Sequence, residues 1–111
     1  MHEAIRQLFD LPGDYQLVTD MDCVHQPDKK KILPTIGHLY IFNKCVAFYA
    51  PKLRPLIVLE YSQVSSIKKS DSLGAKIKGK ITLIMTEGDK RVSFKRLKNR
   101  DKAYDSIKSL W

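Results

Sequence analysis

Between Gly37 and Ala50 the chain reads GHLYIFNKCVAFYA, with one polar pair, Asn43-Lys44, near the middle of an apolar and aromatic run. Aromatic and β-branched residues favour a pleated surface, so the run predicts a β-hairpin folded about that pair. A two-residue turn there sets Phe42 against Cys45, Ile41 against Val46, Tyr40 against Ala47 and Leu39 against Phe48. Side chains alternate across a strand, so Leu39, Ile41, Val46 and Phe48 share a wholly apolar face, the expected core. The opposite face, His38, Tyr40, Phe42, Cys45, Ala47 and Tyr49, is also too apolar to leave in water. The I′ turn such a hairpin favours requires φ > 0 at both residues, which Asn accepts more readily than Lys.

The same periodicities organise the rest. Ile5, Leu8 and Phe9 fall at i, i+3, i+4 and predict a short amphipathic helix over 2–9, ended by Asp10-Leu11-Pro12-Gly13. This helix is expected to cover the hairpin's outer face through Ile5, Leu8 or Phe9 on Tyr40 or Tyr49. A first strand from Tyr15 to about Gln26 places Tyr15, Leu17, Thr19, Met21 and Cys23 on one side and Gln16, Val18, Asp20, Asp22 and Val24 on the other. After the hairpin, Leu56 to Tyr61 reads as a buried strand and Val64 to Lys68 as a shorter one. Ala75 to Lys95 predicts a second hairpin with a II′ turn at Gly88-Asp89, pairing Met85 with Val92 and Leu83 with Phe94 inward, Thr86 with Arg91 and Thr82 with Lys95 outward. A final helix follows Asn99, a good N-cap; Ala103, Tyr104, Ile107, Leu110 and Trp111 form its apolar stripe. The expected fold is mainly β: a seven-stranded antiparallel sandwich or barrel capped by one C-terminal helix, with Ile107 and Trp111 plugging its open seam.

With 111 residues this is a single domain, and it reads as a module of a longer protein. No apolar run approaches the roughly 20 residues needed to span a bilayer, and no signal-peptide pattern opens the chain. Two cysteines make no disulfide framework, which suits a reducing compartment. Charge changes the picture most. Net charge is +8, but residues 1–28 hold one Arg against six acids, net −5, whereas residues 29–111 carry net +13. A basic body suggests a polyanionic partner, set against the simpler reading of a solvated lysine-rich surface.

Catalytic patterns are absent. His2, His25 and His38 are scattered, and Cys23 with His25 lacks the second ligand pair a metal site needs; a buried Cys beside a surface His is the expectation. Gly74 to Lys80 is rich in Gly and Lys but lacks P-loop spacing. No cofactor and no metal are expected.

Several short motifs, in order, resemble the GRAM domain, a branch of the pleckstrin-homology-like superfold. They are Phe9-Asp10-Leu11-Pro12 followed by Asp14; Cys23; Gly37-His38-Leu39-Tyr40; Val46-Ala47-Phe48-Tyr49-Ala50; Val64-Ser65-Ser66-Ile67-Lys68-Lys69; and Arg100-Asp101 with Tyr104 and Trp111. The resemblance covers about Phe9 to Trp111. His38 stands where Arg or another large residue is frequent, and Phe42 and Asn43 replace a more polar turn. The resemblance implies a non-enzymatic intracellular module of larger membrane-associated proteins. Some relatives bind phosphoinositides or phosphatidylserine and others bind proteins.

By that resemblance Lys29, Lys30 and Lys31, in the first inter-strand loop, and Lys52, Leu53 and Arg54, in the third, are the expected lipid-binding set. The acidic final turn Glu87-Gly88-Asp89-Lys90 departs from a phosphate-lined pocket. Lys68, Lys69, Lys76, Lys78 and Lys80 offer a second basic surface. Five loop cations at about 1 kcal/mol each fall short of the ~8 kcal/mol that micromolar binding requires. An inserted Leu53 adds roughly 1.5–3 kcal/mol, and avidity of the parent protein supplies the rest. The expected location is a cytoplasmic membrane surface. The alternatives are a protein partner or another domain of the parent chain, and, least favoured, single-stranded nucleic acid, which needs exposed aromatics to stack bases.

Overall fold

The structure, a computed structural model, describes residues 2–26, 34–51, 56–70, 79–88, 90–97 and 99–111. The central hairpin forms as its pattern requires. Strands β2 (Thr35–Phe42) and β3 (Cys45–Tyr49) pair His38 with Tyr49, Leu39 with Phe48, Tyr40 with Ala47 and Ile41 with Val46. Leu39, Ile41, Val46 and Phe48 are fully buried in the main core. Neither Asn43 nor Lys44 takes a positive φ; among the described non-glycine residues Asp10 and Arg96 do. The primed turn is not needed because the tip is held from outside. The Asn43 N–H donates to the Gln16 carbonyl (2.9 Å), its Oδ1 accepts from the Gln16 N–H (2.8 Å), its Nδ2 donates to the Asp14 carbonyl (3.1 Å), and Lys44 pairs with Asp14.

The outer face is covered as its apolarity demands. Helix α1 (His2–Leu8) ends just before Phe9, which is buried edge-on against Tyr40 with ring centroids 5.7 Å apart. Phe9, Phe42, Cys45 and Ala47 form a second cluster, with Ile5 and Tyr49 packed against it; Leu8 stays exposed.

Strand β1 (Leu17–Gln26) departs from strict alternation. Leu17 lies opposite Phe42 and Thr19 opposite Ile41, so Val18 is an extra residue in a bulge. Leu17 therefore packs in the outer cluster, while Met21 and Cys23 enter the main core. The apolar run after residue 56 is shorter than its sequence suggests. Strand β4 (Ile57–Glu60) stops at Glu60, and Tyr61–Gln63 form a 3-10 turn. Glu60 is half-buried because it accepts the Tyr15 hydroxyl on both carboxylate oxygens, each at 2.9 Å.

Strands β5 (Val64–Ser70), β6 (Lys80–Met85) and β7 (Arg91–Lys95) complete one antiparallel sheet of order β4-β3-β2-β1-β7-β6-β5. In the second hairpin Ile81 pairs with Phe94, Leu83 with Val92 and Ile84 with Arg91. This is a two-residue shift from the expected register. The Met85 N–H donates to the Lys90 carbonyl at 2.8 Å, so the loop is four residues, with Gly88 at φ +65°. Side chains have a period of two, so the shift leaves every one on its expected face; the inward–outward pattern could not distinguish the two registers.

The sheet folds over on itself. Its opposite edges, β4 and β5, are joined by three residues. Phe48 on β3 and Phe94 on β7, three strands apart, have ring centroids only 5.5 Å apart; in a flat sheet they would be separated by about 14 Å. Helix α2 (Arg100–Leu110) covers the seam. The Asn99 side chain caps it by accepting from the Lys102 N–H, Ala103 and Ile107 are fully buried, and Tyr104 and Leu110 pack against the core. Trp111 lies at the rim instead, 42% exposed, because its Nε1–H donates to the Val64 carbonyl at 2.9 Å.

Candidate functional site

Strand order fixes where the connections leave. In this antiparallel arrangement the β1–β2, β3–β4 and β6–β7 connections depart from one end. The β2–β3 turn, the β5–β6 connection and the passage into α2 depart from the other. Lys29, Lys30 and Lys31 lie between Gln26 and Thr35, and Lys52, Leu53 and Arg54 between Tyr49 and Ile57; all six lie outside the described residues. The strand ends that carry them belong to the same end of the sheet. Two described neighbours qualify that end. Ile36, the second residue of β2, is 75% exposed, an apolar side chain that its outward position in a strand could have flagged. A groove of about 520 Å³ runs between β4 and the β6–β7 loop, lined by Val58, Leu59, Gln63, Met85, Thr86, Glu87 and Lys90. Its described ionisable side chains are one acid and one base, which does not make a polyphosphate pocket.

Among the residues of the second basic surface, Lys76 and Lys78 lie outside the described residues. Lys68 and Lys80 fall on the outward face of β5–β6, because their neighbours Ile67 and Ile81 face the core. Lys69 is separated from them: it sits on the α2 side, its Nζ 3.8 Å from Asp101 and 4.8 Å from the Tyr104 ring centroid. Arg91 and Lys95 join Lys68 and Lys80 instead, since Val92 and Phe94 beside them point inward. Sequence reasoning reached the parity of β7 but did not count these two as part of the surface.

A third cluster went unnoticed in the sequence because its members come from two strands. His38 on β2 stands between Asp22, whose Oδ1 is 2.7 Å from Nδ1, and Asp20, which contacts Nε2; its ring also packs on Tyr40, centroids 4.7 Å apart. Only the doubly protonated imidazolium donates to both carboxylates. Partial burial works against the charge, but the hydrogen bonds and charges of Asp20 and Asp22 outweigh it and raise the His38 pKa. A raised folded-state pKa contributes stability that is complete below the unfolded value of about 6.5 and is lost as pH rises through the folded value. The destabilisation caused by His38→Gln, about 1 kcal/mol near pH 6, should shrink as pH rises above about 6.5 and through the raised folded-state value. Thermal melts of both proteins across this range check it, and a difference constant with pH refutes the pair.

Cys23 and His25 carry no metal geometry: among the described residues no group of three His, Cys, Asp or Glu could hold an ion. Burial pushes the Cys23 thiol up to about 12, which makes it a poor nucleophile. His25 is half-buried rather than exposed. It packs between Phe48 and Phe94, both ring centroids at 5.7 Å, and burial lowers its pKa. No described helix is long and apolar enough to cross a membrane.

The profile of the GRAM domain matches residues 3–111. The chain belongs to the GRAM domain family. Domains of the GRAM and pleckstrin-homology-like families are generally non-catalytic. This GRAM domain is 30% identical over 111 residues to Protein VASCULAR ASSOCIATED DEATH 1, chloroplastic, of Arabidopsis thaliana; the match takes in 98% of the chain but 17% of that protein's length. Among solved structures it is similar to the C-terminal domain of an unknown protein from Leishmania infantum, with a TM-score of 0.82 and 19% identity, covering 99% of this chain and 96% of that one. It is also similar to the Vps36 N-terminal PH domain, with a TM-score of 0.68 and 7% identity, covering 90% and 84%. At such identities the likeness concerns the fold, and it gives this GRAM domain a pleckstrin-homology-like architecture.

Proposed function

We propose that this GRAM domain is a non-enzymatic module that docks a larger protein on anionic phospholipid, phosphoinositide or phosphatidylserine, at cytoplasmic membrane surfaces. The observation that carries the reading is the shared departure point of two connections. The one holding Lys29, Lys30 and Lys31 and the one holding Lys52, Leu53 and Arg54 leave the same end of the sheet. Cations brought to one end add their attraction to one plane of headgroups. Exposed Ile36 beside that end, and Leu53 in a segment bracketed by Pro51 and Pro55, supply apolar contact that salt does not screen.

Liposome co-sedimentation separates the two contributions. Changing Lys29, Lys30 and Lys31 together to Ala should weaken binding most at low salt, by about two orders of magnitude if each contributes about 1 kcal/mol. Leu53→Asp should weaken it at every salt concentration. If wild type and both variants bind phosphatidylserine and phosphoinositide vesicles equally poorly, the lipid reading fails and a protein partner takes its place.

A further inference from the structure

A different surface, on the outside of β5–β6–β7, has chemistry that the lipid reading does not use. Lys68, Lys80, Arg91 and Lys95 share it, and no acidic residue occupies an outward position of these three strands. None of the four has a carboxylate within ion-pair distance among the described residues, although Arg6, Lys44 and Lys69 each have one. The spacing is close. Lys68 lies opposite Thr82 and Ser70 opposite Lys80; continuing the β6–β7 register by one residue sets Lys95 opposite Lys80. Cross-strand neighbours are about 5 Å apart, and like charges directly opposite repel. Between these lysines the Thr82 and Ser93 hydroxyls are hydrogen-bonded to each other at 2.9 Å, which leaves one of the two O–H groups to donate to an incoming oxyanion.

We propose that this face is a docking surface for an acidic, extended polypeptide segment of a partner protein. Three features choose that partner over other polyanions. The described residues of this face include no aromatic, and single-stranded nucleic acid binds through stacking platforms. Among the described residues it exposes no large apolar side chain for a bilayer, Ile84 being only 8% exposed. It is the outside of a sheet that curls on itself, so a flat membrane meets a strip of it, while a flexible chain follows the curve. It also lies to the side of the end from which the loop lysines leave, so both surfaces can be occupied together.

The test uses a short fluorescent peptide of alternating Glu and Ser, and its Gln–Ser counterpart, in anisotropy titrations at low salt. The domain should bind the acidic peptide and not the neutral one. Lys68 and Arg91 are exposed, so reversing both (Lys68→Glu with Arg91→Glu) leaves the core intact. This reversal should weaken binding about tenfold or more. Lys102→Glu with Lys108→Glu, an equal charge change on exposed positions of α2, should weaken it less than about twofold. Equal losses in the two pairs mean non-specific charge attraction and overturn the proposal, as does failure of wild type to bind. Phosphatidylserine vesicles or single-stranded RNA that bind more tightly than the peptide, with the same dependence on Lys68 and Arg91, overturn it in favour of those partners. Thermal melts verify folding, and Lys68→Gln with Arg91→Gln replaces the reversal if it unfolds the domain.

Discussion

A chain ending at Ala103 should fail to fold. The deletion removes Ile107, fully buried, and Tyr104, Leu110 and Trp111, which pack on or rim the same core. Burying one large apolar side chain contributes about 1.5–3 kcal/mol, so Ile107 with two partly buried neighbours contributes on the order of 5 kcal/mol. Domains of this size have a total of about 5–15 kcal/mol. The loss is compounded because α2 closes the seam of the curled sheet, and its removal exposes inward residues of β5 and β6. Circular dichroism should show no cooperative melt above room temperature. A cooperative transition within a few degrees of the intact domain would make α2 an appendage and contradict its place in the core.

The other large effect is expected at Gly37. Its φ is not the constraint. A Cβ built there meets the Tyr49 carbonyl oxygen at 2.3 Å, the Phe48 ring at 2.6 Å and the Ala50 Cβ at 3.1 Å. The first is backbone of the neighbouring strand and cannot swing aside, and the second belongs to one of the most buried rings in the core. Gly37→Ala should therefore force β2 and β3 apart and cost about 3 kcal/mol, a fall in Tm on the order of 10–20 °C. Gly13→Ala, with nothing within 4 Å of the added carbon, should change stability by less than about 0.5 kcal/mol. Equal melts for the two variants would refute the packing at Gly37.

Neither the Gly37 contact nor the His38 cluster depends on sequence neighbours. Gly37 was visible as the residue opening the hairpin and as part of the Gly-His-Leu-Tyr motif. That the Phe48 ring lies over it was not, because the hairpin register makes the two residues diagonal neighbours without fixing where the ring points. The sequence placed Asp20 and Asp22 together on the side of the first strand opposite Met21 and Cys23, and His38 on the hairpin face opposite Leu39 and Ile41. Their meeting required the β1–β2 register, which no local pattern specifies.

The elements themselves were legible because each buries one face, and burial imposes a period of two or 3.6 on the chain. That is why the central hairpin, its register, its core residues and the stripe of α2 follow from residue order, and why the apolar outer face announced the helix that covers it. Three things were settled only by the folded chain. The β6–β7 register moved by two residues, since two in-phase registers bury the same side chains and a four-residue loop chose between them. The bulge at Val18 sent Leu17 to the other side of the sheet, since alternation presumes an unbroken ladder. The basic residues were re-sorted, Lys69 turning to Asp101 and Tyr104 while Arg91 and Lys95 joined Lys68 and Lys80. Charge along a sequence counts cations, but which of them share a surface depends on strand order and on the curl that brings β5 round toward β4, and those arise from contacts between residues far apart in the chain.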